Sequence, residues 1–192
     1  MQRSIIVLVT LLAVSLAAAQ TFDVVAPSEA RYRIRERLLG IWLPATVGTT
    51  SAVAGTVTLD GPVVVAGSRV DVEAARITSD QALRDAAVRS ESLQTDDHPL
   101  VTFVPVRITG LPSPLPLEGT VEVDIIGDLR IRDVVRRVRW AGTARFEDDR
   151  VLLDARTAVT FDVFELPKPS LGGIVVLDDE IVLEVSLVLA RR

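Results

Sequence analysis

Along most of the chain, apolar and polar residues alternate with a period of two. The runs TTSAVAGTVTLD (Thr49–Asp60), SRVDVEAARI (Ser68–Ile77), LVTFVPVRI (Leu100–Ile108) and EGTVEVDIIGDLRI (Glu118–Ile131) follow this pattern. So do VVRRVRWAGTARF (Val134–Phe146), RVLLDARTAVTF (Arg150–Phe161) and EIVLEVSLVLA (Glu180–Ala190). Successive side chains of a strand point to opposite faces, so each run predicts a strand with one face turned inward and one toward water. A weaker run near YRIRE (Tyr32–Glu36) brings the expected total to about eight. Turn-forming residues separate the runs at Gly61-Pro62, Gly67-Ser68, LPSPLPLEG (Leu111–Gly119) and Asp148-Asp149. Many evenly spaced strands predict an antiparallel sandwich or a closed barrel, and their length favours the long tilted staves of a barrel. With no internal repeat and no linker, the chain reads as a single domain.

One segment breaks the alternation. In SDQALRDAAVRSESL (Ser79–Leu93), Leu83, Ala86, Ala87 and Ser90 recur at helical spacing, and Ser79 or Asp80 is placed to cap the N-terminus. This predicts one short helix among the strands, with Arg84 and Asp85 near its start. An extended link through His98-Pro99 follows, because proline disfavours helix at the residue before it.

The first residues predict an export signal rather than part of the fold. Arg3 is a short basic start, IIVLVTLLAVSL (Ile5–Leu16) an apolar core, and Ala17–Ala19 a run of small residues suited to cleavage after Ala19. The apolar run of about 12 residues is well short of the roughly 20 that a spanning helix needs. The expected product is an exported chain, periplasmic or extracellular. The net charge of −5 would move to about −6 with the loss of Arg3. An acidic chain with one lysine is a poor nucleic-acid binder. The absence of cysteine excludes disulfides, thiol nucleophiles and cysteine-held metals.

Catalytic chemistry finds little support. His98 is the only histidine, with no second histidine or cysteine to share a metal and no nucleophile-elbow serine motif. The carboxylates Asp96-Asp97 and Asp178-Asp179-Glu180 sit where turns are expected, without the spaced oxygens of a calcium loop. No glycine-rich phosphate loop occurs, so no nucleotide cofactor is expected. Arg130, Arg132, Arg136, Arg137 and Arg139 cluster around one connection. They read either as a solvated outward strand face or as a guanidinium patch that meets a phosphate or lipid headgroup. Valine, alanine and leucine dominate the inward positions and aromatic residues make up 4% of the chain, which suits a barrel that encloses one apolar ligand.

The segment RDAAVRSESLQTDDHPLVTF (Arg84–Phe103) resembles the "RD…LrSe…f…yPtitF" signature of the YceI-like family. TTSAVAGTVTLDG, VDVEAARITSD, GDLRIRDVVRRVRW and KPSLGGIVVLDDEIVLEVSLVLA are similar, in order, to other landmarks of that family. The resemblance covers nearly the whole chain after the export segment. It implies an all-β, extended, eight-stranded antiparallel lipocalin-like barrel with one inserted helix, often dimeric, without catalytic residues, metal or cofactor. It also implies an apolar tunnel for a long polyisoprenoid, such as a quinone tail or a polyprenyl carrier. A homodimer and transient contact with a membrane are further expectations. Arg84 and Asp85 match the family's RD pair and are expected to fix the helix against the barrel by an ion pair or by hydrogen bonds to backbone. Two departures stand out. FDVFELPKP (Phe161–Pro169) replaces the family's "tDFGi", which bears on the shape of one tunnel mouth. Arg130 and Asp133 replace the threonine and glycine of "LTirGvt", which leaves the turn type open.

Alternation selects Val57, Leu59, Val70, Val72, Val101, Phe103, Leu129, Val138, Trp140, Val159 and Phe161 as inward residues, either tunnel wall or plain core. The alternative reading is an envelope-stress or interaction protein whose packed barrel acts through its arginine-rich surface.

Overall fold

A computed structural model describes residues 19–169 and 175–192. The expected export segment lies outside these residues, apart from Ala19. The strands are β1 (Gln20–Leu38), β2 (Ile41–Trp42), β3 (Thr46–Thr50), β4 (Val53–Asp60), β5 (Val63–Val64) and β6 (Arg69–Glu73). They continue as β7 (Leu100–Thr109), β8 (Glu118–Ile131), β9 (Val134–Glu147), β10 (Arg150–Thr160) and β11 (Val175–Arg191). All pairings are antiparallel, in the order β1-β11-β10-β9-β8-β7-β6-β4, and β4 returns to β1. The result is a closed eight-stranded barrel, which leaves no long unpaired edge among the described residues. Along β8 the alternation is nearly unbroken, with Val123, Ile125, Leu129 and Ile131 buried between more exposed neighbours.

Several boundaries differ from those predicted. β1 is 19 residues long rather than the short run at Tyr32–Glu36. Its first part lacks clean alternation because a bulge between Val25 and Glu29 resets the register against β11. Ser28 repairs the gap in the ladder: its Oγ donates to the Val25 carbonyl (2.6 Å) and accepts from the Val188 N–H (2.9 Å). The run Thr49–Asp60 is split at Ser51-Ala52, so that β3 and β4 pair with the two halves of β1. The run from Ser68 stops at Glu73 and gives way to a 3-10 turn over Ala74–Arg76. Asp178, Asp179 and Glu180, expected in a turn, lie inside β11. Two of the three charges are met across the surface, with Arg35 3.5 Å from Asp178 and Lys168 3.4 Å from Asp179.

The helical insertion is also shorter and turned differently. A helix α1 (Ala82–Ala87) runs directly into a π-helical turn over Val88–Leu93. Gln81 is the N-cap residue and makes no capping bond. Ser79 instead donates to Asp85, from its backbone N–H (2.9 Å) and its Oγ (2.6 Å). The face marked by Leu83 looks to solvent, with Leu83 87% exposed, while Arg84 and Asp85 are buried. The polar pair turns inward because a charge waits there. Glu36, at the end of β1, is 4% exposed; its Oε1 accepts from Thr46 Oγ1 (2.7 Å) and lies 3.2 Å from Arg84 Nε. Arg84 also reaches Asp80 at 2.5 Å. A buried carboxylate without a cation is costly, so this pairing dictates which helix face meets the barrel.

Two apolar clusters fill the barrel. One gathers at the end where β1 begins and includes Phe22, Leu115, Ile125 and Trp140. The other gathers at the helix end and includes Ile34, Leu129, Phe161 and Phe164. Phe103, Val138 and Leu183 pack against both.

Candidate functional site

Between and within these clusters runs a cavity of about 230 Å³, walled by residues from all eight barrel strands. Its lining on β8 extends from Val123 to Ile131. At roughly 3.3 Å per residue and a strand tilt near 40°, that is about 20 Å along the barrel axis. An engineered apolar cavity of about 150 Å³ is filled by one benzene. Here half again as much space is drawn out over several times that length, so the cavity is long and narrow.

The alternation of the strands builds the wall. Val57 and Leu59 on β4, Val70 and Val72 on β6, Val101 and Phe103 on β7, Leu129 on β8, Trp140 on β9, Val159 on β10 and Phe161 just beyond it all line the cavity. Val138 does not. It faces inward but lies across the ladder from Gly127, where the Phe103 ring is seated so closely that a Cβ on Gly127 would come within 2.4 Å of it. The aromatic ring covers that stretch of wall, and it meets Trp140 edge-to-face at 5.9 Å between centroids.

Other wall residues were not singled out from the sequence. Phe22, Tyr32 and Ile34 belong to the part of β1 whose pattern was hidden or short, while Ile181, Leu183 and Leu187 follow a clear alternation in β11. Val88, Ser92 and Leu93 come from the π-helical turn, a placement that no strand periodicity encodes. They close the helix end together with FDVFELPKP. Phe161, Phe164 and Leu166 of that stretch are buried, and Ser92 Oγ fastens it by donating to the Pro167 carbonyl (2.8 Å). The stretch that departs from the family pattern is therefore part of the plug at one end. At the opposite end Leu111 lines the cavity and Leu115 is buried.

Tyr32 stands where the apolar wall meets the Glu36–Arg84 pair. Its ring lies on Gly48, where a Cβ would come within 2.2 Å of it, and its buried Oη has no hydrogen-bond partner. Burial, with the carboxylate of Asp85 adding and the Arg84 cation opposing, pushes the phenol up to about 12.

The remaining candidates fall away from the cavity. His98 sits in the link before β7, its Nε2 3.6 Å from Asp133 on the β8–β9 turn. That turn is made without glycine: Arg132 itself takes the left-handed conformation (φ 55°) and donates to the Glu165 carbonyl (3.4 Å). Three of the five clustered arginines meet carboxylates. Arg137 pairs with Asp128 (2.6 Å), Arg139 with Asp124 (2.7 Å) and Arg136 with Glu165 (3.1 Å). These three form matched surface pairs.

A family model of the YceI-like domain matches residues 24–189. The chain belongs to the YceI-like family. Solved structures carry the same fold. BcnA of Burkholderia cenocepacia superposes with a TM-score of 0.64 at 17% identity, over 85% of this chain and 96% of its own. A polyisoprenoid binding domain from Saccharophagus degradans gives a TM-score of 0.66 at 9% identity, over 90% of this chain and 98% of its own. A YCEI protein of Campylobacter jejuni gives 0.53 at 10% identity, over 73% and 81%. At these identities the likeness establishes the YceI-like fold and no more. No match was found among curated proteins.

Proposed function

We propose that this YceI-like barrel holds a long, flexible apolar lipid of the polyisoprenoid type, as a carrier or store and not as an enzyme. The observation that carries the reading is the shape and chemistry of the cavity. A lumen about 20 Å long suits an extended hydrocarbon chain. Its walls are aliphatic and aromatic, so the gain on binding comes from apolar surface removed from water. The polyisoprenoid binding domain named among the structural neighbours supports the choice of chain. The apolar Ile5–Leu16 segment supports export, which would place the barrel where membrane lipids of this kind are handled. Against a fully packed barrel working through its arginine face stand the cavity and the local pairing of those arginines.

Mass spectrometry of the purified protein, first native and then denatured with organic extraction, tests the reading. The expected result is one apolar molecule per barrel, released on denaturation. A protein that is empty as purified and stays empty after incubation with quinones and polyprenols would overturn it.

A further inference from the structure

The outer face of β1 carries a ladder of arginines at every second position: Arg31, Arg33, Arg35 and Arg37. Their pairing loosens toward the helix end of the barrel. Arg31 is tied to Glu29 on its own strand, Arg33 to Glu184 at 2.8 Å, and Arg35 to Asp178 at 3.5 Å. Among the described residues Arg37 has no carboxylate partner. Its guanidinium instead lies over the Trp42 ring, 4.1 Å from the centroid, with that of Arg35 at 5.2 Å.

The free end of this ladder coincides with an exposed apolar hairpin. β1 runs past Glu36, turns at Leu39-Gly40 and returns as β2, closing where the Leu43 N–H donates to the Glu36 carbonyl (2.9 Å). Leu39 is 80% exposed, Ile41 70% and Val176, across from Arg37, 66%; Trp42 and Leu38 are partly exposed beside them. Four residues further back on the same strand, Ile34 lines the cavity. The hairpin therefore begins about 13 Å along the strand from the cavity wall at Ile34.

An indole flanked by guanidiniums, with leucine and isoleucine at the tip, suits the boundary between lipid headgroups and acyl chains. The apolar tip enters, the indole stays at headgroup level, and the arginines face anionic phosphates. A second protein copy fits less well. A stable protein interface takes roughly 20–30 residues a side, whereas among the described residues five exposed apolar side chains make up this tip. We infer that the Leu38–Trp42 hairpin is a membrane-docking tip that seats the helix end of the barrel on an anionic lipid surface. The inference goes beyond the cavity's contents, since an empty barrel would dock as well as a loaded one.

Tryptophan emission reads the site locally. The chain has two tryptophans, and Trp140 is buried in the barrel, so a change on adding vesicles that is absent from the Trp42→Phe variant belongs to the hairpin. With the chain from Gln20 onward, free of the apolar Ile5–Leu16 run, and phosphatidylglycerol–phosphatidylcholine vesicles, the Trp42 emission should shift to the blue and be quenched by brominated acyl chains. Pure phosphatidylcholine should bind much more weakly, and added salt should weaken docking. Arg37→Gln should lower the partition coefficient about fivefold, and Leu39→Ser with Ile41→Ser at least tenfold or so. An unchanged Trp42 spectrum with anionic vesicles would overturn the inference. So would an equal response to neutral vesicles, or a concentration-dependent shift without vesicles, which would mean that a second copy covers the tip.

Discussion

Tyr32 is the only tyrosine of the chain, so an alkaline titration followed by phenolate absorbance reports this one side chain. In the folded protein its hydroxyl is sealed beside Asp85, Arg84 and Glu36 without a hydrogen-bond partner, and its pKa rises from 10.0 to about 12. The folded state therefore binds more protons than the unfolded chain between those values. Stability linked to this group is fully present below about pH 10 and is lost as the pH rises through about 12. A shift of this size corresponds to something on the order of 2–3 kcal/mol. The expected folded midpoint lies near 12, against one near 10 in denaturant. Denaturant melts of the wild type should lose stability across this window relative to Tyr32→Phe, in which the linked loss is absent. At neutral pH the Phe variant should be about 1 kcal/mol more stable, because it removes a buried hydroxyl that has no partner. A phenolate midpoint near 10 in the folded protein, or a destabilised Phe variant, would refute the assignment of this environment.

Arg84→Met should destabilise the barrel by about 3–5 kcal/mol in urea melts, since it strands the Glu36 carboxylate in the interior. Adding Glu36→Leu should restore most of that loss; a double variant no better than the single one would show that the pair is not the coupled unit. Leu59→Arg places a guanidinium in the apolar lumen and, in a variant shown to be folded by circular dichroism, should abolish lipid co-purification. Wild-type lipid stoichiometry in that variant would remove Leu59 from the ligand's path.

Much of this molecule is legible in its sequence because a barrel wall is written in a local code. Each stave from β8 to β10 has the period-two pattern over more than ten residues, and β7 keeps it as far as a register shift between Pro105 and Arg107; the side chains turned inward include the cavity-lining Val101, Phe103, Leu129, Trp140 and Val159. Pairing one strand with the next moves no side chain to the other face, so inwardness survives from sequence to structure. The code fails where a side chain's surroundings come from distant parts of the chain. Val138 reads as wall and is covered, because a ring from β7 lies on a glycine of β8 beside it. The carboxylates Asp178–Glu180 read as a turn and lie within β11, at a bulge in its pairing with β1.

Local pattern thus determined the strand set, the short helix, the family and most of the inward residues, since each depends on a few neighbouring positions and on one face being dry. Tertiary structure alone decided how the helix turns. The spacing of Leu83, Ala86 and Ser90 marks the solvent side, and the inward side is chosen by Glu36, buried nearly fifty residues earlier in the chain. It alone decided that the barrel is hollow, because an empty volume is the difference between a closed circle of strands and the side chains that fill it, and no stretch of sequence contains both. It alone brought the free end of the arginine ladder to an apolar tip beside the cavity's helix end, through the closing of a two-residue strand on β1.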